Sequence, residues 1–150
     1  MSNPGTRMCV LLPCGGDLRW AVPQSCLAEI LTLATEDENP PETMTWRGIE
    51  LPVVDIGAPS GTPWRNAQGG TGLIAVVLGV DDEGSDCWGL ALRGDGLSVR
   101  DVQESDCRDL PESVVDNSLA AFALGGAVYQ VPDLPSLQRL AAAHGTAISA

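Results

Sequence analysis

The residues able to do chemistry in this chain are few and scattered. His144 is the sole histidine and stands near the C-terminal end. A Ser-His-Asp or Cys-His site would depend on the part of a chain that orders least. The cysteines, at positions 9, 14, 26, 87 and 107, include no CxxC spacing that would hold zinc or run dithiol redox chemistry. They read as reduced, buried thiols. "GGTG" at 69–72 lacks both the lysine and the following helix of a phosphate-cradling loop, and "RGD" at 93–95 is a short match within a turn. No metal site is expected from this set. What remains is Glu29 inside the apolar turn "CLAEIL", Arg47 and Gly48 in "WRGI", and Asp55 in "VVDIGA". An acid beside an apolar rim, formed here by Leu27 and its neighbours, is docking chemistry: apolar groups supply burial and charges set register. Arg47 fits the same role, because a guanidinium binds a carboxylate through two parallel hydrogen bonds and the adjacent Gly48 allows close approach.

Short elements must position these groups. Trp20–Val22 can run as a strand until Pro23, and Leu27, Ile30 and Leu31 then recur at helical spacing, which predicts a one-turn helix with Glu29 on its solvated face. Ile49, Leu51 and Val53 alternate toward one face, Pro52 keeps that strand from full pairing, and Asp55 ends it. Elsewhere short apolar runs are separated by glycine- and aspartate-rich turns, the pattern of an all-β protein. Strands are expected at 8–12, 18–22, 49–56, 73–79, 87–92, 97–102, 121–124 and 127–131. "DDEGSD" (81–86), "RGDG" (93–96) and "GG" (125–126) have hairpin lengths, so the second half reads as an antiparallel meander. Residues 57–72 form a long loop between two halves of one domain spanning 1–150. Near the end, Ser136 is placed to N-cap a short helix that Gly145 closes, and 142–150 is expected as a flexible tail.

Charge narrows the partners. The chain has 8 basic residues, all arginine, against 20 acidic ones, a formal net charge of −12. Such a surface repels a phosphate backbone and anionic lipid, and suits partners that offer basic patches. The opening apolar run meets Pro13 at once, too short for a signal sequence or a membrane span, so a cytoplasmic location is expected.

Read in order, "VPQSCLAEIL", "RGIELPVVDI", "WGLALRGDGLSV" and "FALGGAVYQVPDLPSLQRL" resemble the CheW-like adaptor family of bacterial chemosensory arrays over about residues 8–141. That family shows a strand, a proline and a "V-x-E-I-L" turn, then "R-G-x-x-[IL]-P-V-[IV]-D-[LI]", a hairpin with "G-L-x-V-D", and a closing hairpin and short helix. The resemblance implies an all-β fold of two intertwined five-stranded SH3-like barrels with short helices, no cofactor and no catalysis. It implies a scaffold that couples the cytoplasmic tip of a chemoreceptor to the regulatory domain of a histidine kinase, in flagellar chemotaxis or in type IV pilus twitching motility. Leu27, Glu29, Arg47 and Gly48 are the partner-binding residues it points to. Two departures stand out. Only "TLATEDENPPETMT", without glycine, joins "AEIL" to "WRG", and the acid expected after "G-L-x-V" is replaced by Arg93.

Two rivals remain. "VVDIGA" resembles the signature of retroviral-type aspartic proteases, but Ile56 occupies the hydroxyl position, and two carboxylates sharing a proton would require a homodimer built on Asp55. The alternative for Asp55 is a strand-end carboxylate that accepts hydrogen bonds from backbone amides. The other rival is an SH3-like binding module of a different kind.

Overall fold

Alternating apolar residues punctuated by glycine and proline cut the chain into short strands. The computed structural model describes residues 6–16, 18–66, 68–78, 87–94, 97–115 and 117–149. In chain order the strands are β1 (Thr6–Pro13), β2 (Arg19–Pro23), β3 (Leu27–Ala34), β4 (Thr43–Trp46), β5 (Ile49–Val54) and β6 (Arg65–Asn66). They continue with β7 (Thr71–Leu78), β8 (Cys87–Leu92), β9 (Ser98–Gln103), β10 (Arg108–Asp109), β11 (Ser118–Leu124) and β12 (Ala127–Pro132), and the helix α1 (Leu134–Ser149) follows.

These strands form two curled sheets. The first runs β10-β11-β12-β2-β1-β9 and the second β3-β7-β8-β5-β4, with β6 added beside β7. Each has five main strands and one two-residue strand, the expected pair of intertwined SH3-like barrels. Intertwining follows from the chain's path: β1 and β2 start the first barrel, β3 to β8 build the second, and β9 to β12 return. A parallel pairing of Gln130 with Trp20 joins the returning chain to the strands it left.

Three apolar clusters hold the assembly. Leu11, Ala21, Val102, Leu124 and Tyr129 fill the first barrel. Met44, Leu51, Val53, Trp64, Ile74 and Val76 belong to the cluster inside the second. Between the barrels lies a central core that includes Val10, Leu12, Trp20, Val22, Trp88 and Leu90, with Leu137 and Ala141 of α1. Each fully buried large apolar side chain contributes about 1.5–3 kcal/mol relative to exposure. Because β7 sends Ile74 and Val76 into one cluster and Ala75 and Val77 into the other, it reads as an unbroken apolar run.

The expected helix at "CLAEIL" is a strand. The helical turn sits earlier, at Gln24–Cys26, and β3 pairs with β7 along its length. A bulge between Leu27 and Glu29 explains the misleading spacing. The extra residue inverts the alternation, so Leu27 and Ile30 both pack on the central core while Ala28, Leu31 and Leu33 pack in the second barrel. A three-residue interval between like-facing residues then imitates a helix.

Other expectations divide similarly. Gly125 and Gly126, at φ +57° and +84°, make the two-residue turn joining β11 to β12. "RGDG" does not make a hairpin, because β8 pairs with β7 and β5 while β9 pairs with β1. Residues 95 and 96 of that stretch, and the turn 81–86, lie outside the described residues. The segment 57–72 holds a helical turn at Ala58–Ser60, strand β6 and the first residues of β7. Asp133, not Ser136, caps α1: its carboxylate accepts from the Ser136 amide at 3.3 Å and hydroxyl at 2.8 Å. The helix runs past Gly145 to Ser149.

Candidate functional site: an exposed ledge and a sheltered ion pair

β3 and β4 are opposite edges of the second sheet, and its curl brings them together. Across that gap the indole Nε1–H of Trp46 donates to Glu29 Oε1 at 2.9 Å. The Arg47 guanidinium lies 3.9 Å from the same oxygen and 4.8 Å from the centroid of the Trp46 ring. Arg47 and Gly48 are the two residues of the β4–β5 turn, closed by the Trp46–Ile49 pair. Their φ angles, +52° and +78°, both fall in the left-handed region that such a turn demands. Glycine adopts it freely, whereas an arginine there costs about 1–2 kcal/mol. The side chains of Arg47 and Glu29 are 72% and 44% exposed, and Ile49, opposite Trp46 and so on its face, is 52% exposed.

Glu29 and Arg47 therefore meet, with Gly48 beside Arg47 in the turn. Leu27 does not join them. The bulge turns it onto the other face of β3, against the central core. The apolar members of the ledge are instead Trp46 and Ile49. Trp46 was missed, although it immediately precedes "RG" and an indole beside a guanidinium is a frequent stacking pair.

Asp55 makes a different contact from the one expected. Its two carboxylate oxygens accept from Arg93 Nε at 2.8 Å and Nη2 at 2.6 Å, a bidentate pair, and Arg93 Nη1 donates to the Thr62 carbonyl at 2.8 Å. The side chains are 23% and 7% exposed. The hydrogen bond to Asp55 outweighs burial and raises the Arg93 pKa further, so the guanidinium stays charged. With both oxygens engaged by Arg93, Asp55 presents no free oxygen toward a second aspartate, which removes the support for the protease reading. Arg93 is thus a partner for Asp55 and not a lost acid. Burial, and then the Asp55 charge, push the thiol of nearby Cys14 up to about 12.

An open groove of about 500 Å³ runs from Pro40 and Pro41 past Ile56 to Asn117 and Leu140, between the second barrel and α1. Among the described residues no group of three or more His, Cys, Asp or Glu side chains could hold a metal, and no helix is long and apolar enough to cross a membrane.

No family model and no curated protein matches the chain. Among solved structures, the chain is similar to the crystal structure of the scaffolding protein TtCheW from Thermoanaerobacter tengcongensis, at 14% sequence identity and a TM-score of 0.59. The match covers 85% of this chain and 88% of that one. At this identity the likeness is one of architecture, and the architecture is that of CheW.

Proposed function

We propose that this protein is a non-catalytic scaffold that couples chemoreceptors to a histidine kinase in a bacterial chemosensory complex. The observation that carries the proposal is the shared architecture with a scaffolding protein over 85% of the chain. The ledge supports it: a strained, exposed arginine at a turn that glycine or asparagine would occupy at lower cost is a feature kept for contact rather than stability. In this reading Glu29, Arg47 and Gly48 meet the receptor tip, with Trp46 and Ile49 supplying apolar area, and Leu27 supports them from behind. The regulatory domain of the kinase docks on a separate surface. The protein works in the cytoplasm as one domain and serves flagellar chemotaxis or pilus-driven twitching. The test is titration of the purified chain against the regulatory domain of each chemosensory kinase of its source organism, with no cofactor added. Binding at tens of micromolar, about −6 kcal/mol, is expected of a transient signalling contact. Failure of every kinase to bind at that level overturns the proposal.

A further inference from the structure

We infer that Asp55 and Arg93 form a polar clasp at one end of the barrel junction, fixing the β1–β2 corner of the first barrel on the Gly57–Thr62 loop of the second. Arg93 lies just past β8 and reaches three places at once. Its amide donates to the Pro13 carbonyl at 3.0 Å, at the end of β1, and it forms a parallel bridge with Cys14. Its guanidinium turns back to Asp55, just past β5, and to the Thr62 carbonyl. Thr62 completes the link, because its Oγ1 accepts from the Gly16 amide at 2.8 Å.

The loop itself is shaped for this contact. Gly57 packs against backbone so closely that a Cβ there would stand 1.7 Å from the Cys14 carbonyl oxygen. Ser60 braces the turn: its Oγ donates to the Gly57 carbonyl at 2.7 Å and accepts from the Thr62 amide at 3.1 Å. Beside these contacts lies the apolar central core, whose attraction is non-directional and does not fix the corner. A bidentate pair whose arginine side chain is only 7% exposed does fix it, because neither partner can leave without stranding the other's charge. An acid at position 93 would instead face Asp55 and push the corner away. The clasp is thus particular to the pairing of Asp55 with arginine, and it holds whether or not the chain is a chemosensory scaffold.

Amide hydrogen exchange tests it in the full chain. In Arg93→Met the amides of Gly16 and of position 93 should exchange at least about 10-fold faster, while those of Ile74 and Tyr129, inside the two sheets, stay within about 3-fold of the parent. Arg93→Lys, which keeps the charge but loses the fork, should fall between. Asp55→Asn should act like Arg93→Met, and it decides by the same criterion if Arg93→Met does not fold. Unchanged exchange at Gly16 overturns the clasp, as does an equal acceleration at all four amides. Failure of both Arg93→Met and Asp55→Asn to fold also overturns it, since the pair would then support the whole fold and not one end of the junction.

Discussion

Substitutions at Glu29 separate its contact with Trp46 from the docking role proposed for it. The carboxylate accepts the Trp46 indole N–H at 2.9 Å, linking the two edge strands of the second sheet, and it faces the Arg47 guanidinium at 3.9 Å. A hydrogen bond to a charged group is worth about 1.5–3 kcal/mol when sheltered, and at 44% exposure of Glu29 roughly 1 kcal/mol remains. The long, exposed ion pair adds at most about 0.5 kcal/mol. Glu29→Ala should therefore cost about 1.5 kcal/mol, which for a chain of this size lowers Tm by about 3–6 °C. Glu29→Gln keeps an acceptor for the indole and loses only the charge, so its Tm should fall by no more than about 2 °C. Arg47→Asn loses the stacking on Trp46, about 0.5–1 kcal/mol, but relieves a left-handed φ of +52°, and the two nearly cancel. Calorimetric melting beside a receptor-recruitment titration reads both roles. Glu29→Gln and Arg47→Asn should weaken recruitment at nearly parental Tm, while kinase binding through a separate surface survives. Equal Tm losses in Glu29→Gln and Glu29→Ala would refute the strand-linking hydrogen bond. A fall in Arg47→Asn as large as in Glu29→Ala would show that the arginine is held for stability, and unchanged recruitment would refute the ledge as the receptor site.

Two further outcomes follow from the junction. The Cys14 thiol, pushed up from 9.0 to about 12, stays protonated in the folded chain while its unfolded counterpart ionises. Its stabilising contribution is complete below pH 9 and is lost as pH rises toward 12, at about 1.4 kcal/mol per unit. Denaturant titrations at several alkaline pH values should show this slope in the parent and not in Cys14→Ala, and parallel slopes would refute it. Gly57→Ala, at a φ of −83° that alanine accepts, introduces no backbone strain yet drives a Cβ into the Cys14 carbonyl. It should cost more than about 3 kcal/mol in chemical denaturation, and a loss under about 1 kcal/mol would mean the loop can move away.

What the sequence disclosed of the fold was set by how far each element depends on its own residues. "GG" at 125–126 imposes its turn locally, and β8 announces itself because apolar residues on both faces are buried. β3 hides behind its bulge, where the fold inserts one residue and shifts the period. β4 is four residues long and only Met44 is buried, so "TMTW" carries too little apolar signal to stand out from the acidic stretch before it. The hairpin read from "RGDG" failed for a topological reason. Turn chemistry shows that a chain bends, but not which barrel it enters afterwards.

The ledge was largely legible because its charges lie in two short motifs, one beside each edge of the same sheet. The clasp was not, although both of its members drew notice: Asp55 for resembling a catalytic signature and Arg93 for departing from an expected acid. Neither observation implies the other without the parallel pairing of β5 with β8, in which Val53 meets Gly89 and Val54 meets Leu90. Parallel neighbours end at the same edge of a sheet, so residues just beyond their C-terminal ends are neighbours as well. In that register Asp55 is level with Ala91, and Arg93 stands two residues further along on the same face, where a long side chain reaches back to the carboxylate, so the arginine ceases to be a defect. The charge at position 93 has meaning only together with the charge at position 55. A resemblance read one residue at a time therefore counts a loss where the fold makes a bidentate ion pair.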